Sequence, residues 1–161
     1  MGGSASPPLP RNDSAARTVQ TNNMDPISVS SGVLTLVGFA FKSTVTLYTT
    51  VRSFRSQDRD VRALRDELSD LSKVLESLQQ TAETYATADL EGLKLPLHRC
   101  GKACEEYGKI IERCTKHSDG SRPSLRDWVA QKYLQGDINQ FREMLVAYKS
   151  TINVAIAHAN L

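Results

Sequence analysis

"VRALRDELSDLSKVLESL", residues 61–78, decides the fold class. Apolar side chains fall at Val61, Leu64, Leu68, Leu71, Leu75 and Leu78, a 3-4-3-4-3 spacing. Steps of three and four bring all six to one face of an α-helix, whereas a strand would need steps of two. Arg, Asp, Glu, Ser and Lys fill most positions between them. The stretch therefore reads as an amphipathic helix with an a/d seam, as in a coiled coil.

Two further segments repeat the pattern on the C-terminal side. One runs Leu93, Leu97, Cys100, Cys104, Tyr107, Ile111 and Cys114. The other runs Ile138, Phe141, Leu145, Tyr148, Ile152, Ala155 and Ala159. Period-2 alternation is confined to short Val/Thr runs within 43–51. The spacing predicts an all-α fold, an up-down bundle of four long helices plus a short one, beginning with an apolar helix. Its core seam includes Leu64, Leu68, Leu71, Leu75, Cys100, Cys104, Tyr107, Phe141, Leu145 and Tyr148.

The breaks suit this division. Ser56 in "SFRSQD" is the expected cap of the second helix, and the third is expected to start near Asp89 or to restart at Pro96. "KHSDGSRPS" at 116–124 is the clearest loop. A short helix with Trp128 and Tyr133 is expected next, and "QGD" at 135–137 resets the chain before the last long helix. Residues 1–23, rich in Pro, Gly, Ser and Asn, read as a disordered leader, leaving 24–161 as one helical domain. Met24 is an alternative start, with Asp25 able to cap and Pro26 suited to a first helical turn.

A formal charge of +2 gives no case for nucleic acid as a partner. Three cysteines cannot all pair within one chain, and the first twenty residues lack an apolar signal core. A reducing, cytoplasmic setting is expected. Cys100, Cys104 and Cys114 with His98 and His117 raise the question of zinc. All three cysteines lie on the seam, however, and His98 lies on another side of the helix from Cys100, so core packing is the reading. No P-loop, HExxH or nucleophile–base motif occurs, and no cofactor is expected. Paired acids such as Asp66–Glu67 and Glu105–Glu106 read as solvated faces. "MGGSAS" fits the pattern for N-myristoylation at Gly2, should Met1 be the start.

Between Pro26 and Val51 the only charge is Lys42. The uncharged part before Lys42 spans about 24 Å as a helix, short of the ~30 Å hydrocarbon core of a bilayer. A permanent span is therefore disfavoured. Yet Val33, Leu34, Leu36, Val37, Phe39, Ala40 and Phe41 cover almost the whole helix circumference, more than one seam needs. Gly32 and Gly38 add the small surfaces that membrane helices use to pack. Lys42 and then Arg52, Arg55, Arg59, Arg62 and Arg65 follow, roughly one stripe if helical. This is either a collar for anionic lipid or an ordinary solvated face.

"MDPISVSSGVLTLVGFAF" at 24–41 resembles the start of the fungal N-terminal domains of STAND (NLR-like) proteins, which are themselves similar to HeLo and HeLo-like cell-death modules. "LPLHRCGKACEEYGKII" at 95–111 resembles the family's third helix and 61–78 its second. "LRDWVAQKYLQGDINQFREMLVAYKSTINVAIAHANL" at 125–161 resembles its closing segment. The resemblance implies a non-enzymatic helical bundle of fungal origin. It implies self-association, and membrane lipids as partners on activation, with relocation to the plasma membrane and cell death. The inserting helix would then comprise Ile27, Val29, Val33, Leu34, Leu36, Val37, Phe39 and Phe41, with Lys42 and the arginines at the interface. It also implies an NLR-like receptor partner or a fused NTPase, none of which lies within these 161 residues. The alternative is a soluble adaptor that binds partner proteins through its seams.

Overall fold

The structure, a computed structural model, describes residues 2–5, 8, 26–54, 58–85, 89–115 and 134–161. Among these every long element is helical: α1 (Pro26–Ser53), α2 (Arg59–Thr84), α3 (Lys94–Thr115) and α4 (Leu134–Ala159). A single 3-10 turn, Glu91–Leu93, leads into α3. The expected short helix with Trp128 and Tyr133 lies outside the described residues, as do Arg55, Ser56 and His117.

The three seams fold inward as their spacing requires. Val61, Leu64, Leu68, Leu71, Leu75 and Leu78 are all buried, and so are Leu97, Cys100, Cys104, Tyr107 and Ile111. From α4 come Ile138, Phe141, Leu145 and Ile152, with Tyr148, Ala155 and Ala159 partly buried against them. Each fully buried leucine contributes roughly 2 kcal/mol through area removed from water. A fourth seam runs along α1: Val33, Val37, Ala40, Thr44, Leu47 and Val51 are buried at a 4-3-4-3-4 spacing.

α1 packs on α2 and α3, α2 packs on α4, and α3 touches α4 least. Positions that meet give the directions. Phe39 and Leu47 of α1 lie against Gly101 and Gly108 of α3, so these two helices run parallel. Asp60 and Glu67 of α2 meet Arg142 and Lys149 of α4, which are also parallel. The bundle is thus two parallel pairs, α1/α3 and α2/α4, laid antiparallel to each other.

Three boundaries differ from the sequence expectation. The cap of α2 is Asp58, whose Oδ1 accepts from the Asp60 N–H at 2.8 Å and the Val61 N–H at 3.4 Å. Asp58 immediately precedes the first turn, and its negative charge suits the positive end of the helix dipole. α3 begins between the two expected positions: Asp89 Oδ1 accepts from the Glu91 N–H at 3.3 Å, the 3-10 turn follows, and Pro96 falls inside the first α-turn. α4 starts at Leu134, so "QGD" lies within the helix rather than before it. Asp137 in that first turn favours the helix N-terminus, and one glycine costs only about 1 kcal/mol there.

Candidate functional site

The surface between α1 and α3 is where the apolar helix is held. Gly101 is buried, and a Cβ there would stand 2.3 Å from Phe39 Cε1. The missing side chain is what lets the Phe39 ring lie across α3. His98 stacks on that ring with centroids 6.2 Å apart, and Lys102 Nζ lies 5.8 Å from its centre. Five residues further along α1, Thr44 Oγ1 sits 3.7 Å from Cys104 Sγ, a buried polar contact between the two helices. Gly32 faces the Lys94 stem near the start of α3.

Cys100 and Cys104 occupy the core as their seam positions require. The hydrogen bond shared with Cys104, and then burial, push the Cys100 thiol well above its ordinary range. Among the described residues no group of three or more His, Cys, Asp and Glu side chains is arranged to hold a metal. Cys114 lies in α3, but its side chain falls outside the described set.

The proposed inserting residues divide into two groups. Val33 and Val37 are fully buried, whereas Leu34, Leu36, Phe39 and Phe41 are half-buried. Ile27 and Val29 lie in α1, with side chains outside the described set. The outward face carries Thr35, Gly38, Lys42, Val45, Thr46 and Thr49, all exposed. Before Arg52 in the last turn that face has one charge, Lys42, whereas the outer surface of α2 carries Arg62, Asp66, Asp70, Lys73, Glu76 and Glu83.

The arginine stripe is not one continuous helical face. α1 ends at Ser53 and α2 starts at Arg59, so Arg52 closes one helix while Arg59, Arg62 and Arg65 open the next, antiparallel one. Arg52, Arg59 and Arg62 are exposed, as is Lys42; Arg55 is outside the described residues. Gly2 is exposed. Of the paired acids, Glu67 departs from the solvated-face reading. Its carboxylate pairs with Lys149 between α2 and α4, and the two side chains keep only 22% and 17% exposure. Sequence spacing could not reveal this pair, because it depends on which helices are neighbours.

A profile of the family described as "Pigment biosynthesis cluster protein PigL N-terminal" matches residues 24–161. The chain belongs to the PigL N-terminal family. That is a HeLo-like fungal N-terminal domain family. The match begins at Met24, two residues before α1, and covers all four long helices of this PigL N-terminal domain. No curated protein and no solved structure matches the chain.

The Phe39–Gly101 contact makes a direct prediction for this domain. Gly101→Ala forces the ring aside at a cost of about 1–3 kcal/mol, the usual range for overpacking a tight contact, of which up to about 1 kcal/mol is offset by replacing a helix glycine. Thermal unfolding should show the loss, and Phe39→Leu in the same chain should recover most of it. If adding Phe39→Leu to Gly101→Ala brought no recovery, Phe39 would be removed from the α1–α3 contact.

Proposed function

We propose that this domain is a non-enzymatic signalling or effector module of fungal NLR-like immunity or incompatibility. It self-associates on activation, releases α1 from the bundle, and inserts that helix into the membrane to trigger cell death. A receptor of the NLR type, or a fused NTPase, supplies the activating signal. The resting protein is cytoplasmic and relocates to the plasma membrane when activated.

The observation that carries this reading is the character of α1 on both faces. From Gly32 to Ser53 the helix is long and apolar enough to cross a bilayer, and only about a third of its most apolar stretch is buried in the bundle. The core helix of a soluble protein can be as long and as apolar. What separates α1 from such a helix is its outer face, where Lys42 alone stands among Thr, Gly and Val until Arg52 in the last turn. At 1.5 Å per residue these 22 residues span roughly 33 Å, matching a hydrocarbon core of about 30 Å. Membership of a HeLo-like family supports the same reading. Lys42 falls mid-helix and reaches polar surroundings by snorkelling or by facing a lumen formed by several copies.

The test uses the full chain fused to a fluorescent protein and an inducible dimeriser in yeast. Dimerisation should move the wild type to the cell periphery and kill the cells. Gly38→Glu should leave the fusion cytosolic and the cells alive. If the dimerised, folded wild type stays cytosolic and harmless, insertion is wrong and the soluble adaptor reading takes its place.

A further inference from the structure

α3 and α4 are the most loosely joined neighbours, and an open groove of about 430 Å³ runs between them. Its floor is apolar: Ala103, Tyr107 and Phe141, with Tyr148 at one end. The Tyr107 and Phe141 rings stack at 4.1 Å. Ile110 and Met144 stand on the rim, 39% and 36% exposed. His98, Arg99 and Lys102 gather at the Tyr148 end, while Asp137 lies at the other and Glu106 lines the rim between.

We propose that this groove binds a long-chain fatty acid, with its carboxylate at His98, Arg99 and Lys102 and its tail along Tyr107, Phe141 and Met144. Charge selects the class of ligand. Arg99 has no acidic partner among the described residues. Lys102 pairs with Glu105 at 3.1 Å and lies over the Phe39 ring, and with about half of its side chain exposed neither contact competes strongly with a ligand. Glu106 and Asp137 repel a surface that is negative along its whole length, so an anionic bilayer or an acidic helix fits poorly. A single negative end on an apolar body fits.

Shape agrees with charge. A volume of this size, lined by aromatic and aliphatic groups with a few polar ones, is in the range of small-molecule sites. From residue 99 to residue 110 the α3 wall is about 16 Å long at 1.5 Å per residue, enough for roughly a dozen extended carbons. Met144 is an unbranched side chain able to adapt to a flexible tail. Burial pushes the Tyr148 phenol up, so it stays a neutral donor beside Arg99.

The experiment measures displacement of a dansyl-labelled undecanoic acid from the full chain by palmitate, below the concentration at which palmitate aggregates. Palmitate should bind one to one. Arg99→Glu and Met144→Glu should each weaken it by about tenfold or more, the equivalent of 1.4 kcal/mol. Both positions are exposed, so circular dichroism should show an unchanged fold. Val154→Glu, at a 70% exposed position away from the groove, should bind as wild type does. Hexadecyltrimethylammonium, with the same tail and opposite charge, should compete at least tenfold less well. Equal competition by both head groups would overturn the proposal, as would binding to anionic vesicles with free palmitate inert. Two effects of Met144→Glu would also overturn it if palmitate binding were absent. Loss of self-association would assign the groove to a second copy, and a shift in Trp128 emission would assign it to the chain's own 116–133 segment.

Discussion

Gly38→Glu is expected to abolish the leakage of anionic vesicles by the dimerised protein while leaving its fold intact. Gly38 faces solvent, and a Cβ there meets nothing within 4 Å, so the bundle has room for the larger side chain. Leaving glycine in an exposed helix position gains roughly 0.5–1 kcal/mol. The new carboxylate also lies one turn before Lys42, the favourable order for an i,i+4 ion pair. Thermal stability should therefore rise slightly. Insertion goes the other way, because an acidic group costs up to about 2.5–3.5 kcal/mol at the centre of a membrane helix, or roughly 70- to 400-fold in partitioning, and somewhat less at Gly38, one turn from the centre. Pairing with Lys42 offsets part of this, leaving at least about a tenfold loss of leakage. Opposite signs for stability and leakage separate a membrane role from simple unfolding. Leakage equal to wild type would take α1 out of the bilayer. Gly101→Ala should do the reverse, since loosening Phe39 lowers stability and eases the release of α1.

Removing the Glu67 carboxylate is expected to give the largest loss of stability among the polar substitutions. With Glu67→Ala, the Lys149 ammonium is left between α2 and α4 without its partner and with only 17% of its side chain exposed. Breaking a buried pair in this way costs about 3 kcal/mol, at the lower end of its range because some water still reaches both groups. For a chain of this size that lowers the melting temperature by roughly 6–12 °C. The neighbouring Arg142–Asp60 pair is longer, at 3.9 Å, and more exposed. Asp60→Ala should therefore cost under about 1 kcal/mol. Replacing both members of the buried pair, as Glu67→Leu with Lys149→Met, should return stability close to wild type. If Glu67→Ala melted within about 2 °C of wild type, the pair would be no more than a surface contact.

Much of the fold was legible because α2, α3 and α4 write their seams in large apolar residues. α1 was harder to read. Its inward line includes Ala40 and Thr44, both fully buried, while Leu34, Leu36, Phe39 and Phe41 lie off that line. A hydrophobic pattern therefore sees an apolar cylinder rather than a seam. The cap of α2 lies two residues beyond the expected Ser56, because serine and aspartate both suit the position and it is the Asp58 carboxylate that accepts from the Asp60 and Val61 amides.

The parts of the site that escaped the sequence depend on which helices are neighbours. Gly101 looks like an ordinary helix glycine until α1 is known to run parallel to α3, with Phe39 at that level. Glu67 looks like half of a solvated pair until α4 brings Lys149 beside it. The arginine stripe failed for a related reason. Its spacing assumes one helix through residues 52–65, whereas α1 ends at Ser53 and α2 starts at Arg59.

The release of α1 can be tested in a single variant. Thr44 Oγ1 lies 3.7 Å from Cys104 Sγ, so Thr44→Cys brings two sulfurs close enough to bond at about 2.05 Å after small side-chain rotations. The bond can be verified by the mass loss of two hydrogens, and it ties α1 to α3 until a thiol reductant is added. Vesicle leakage by the dimerised variant should be absent when oxidised and should reach the wild-type level after reduction, with the wild type indifferent to both treatments. Leakage that is the same before and after reduction would contradict the account, because α1 would then act without leaving the bundle or would not act at all.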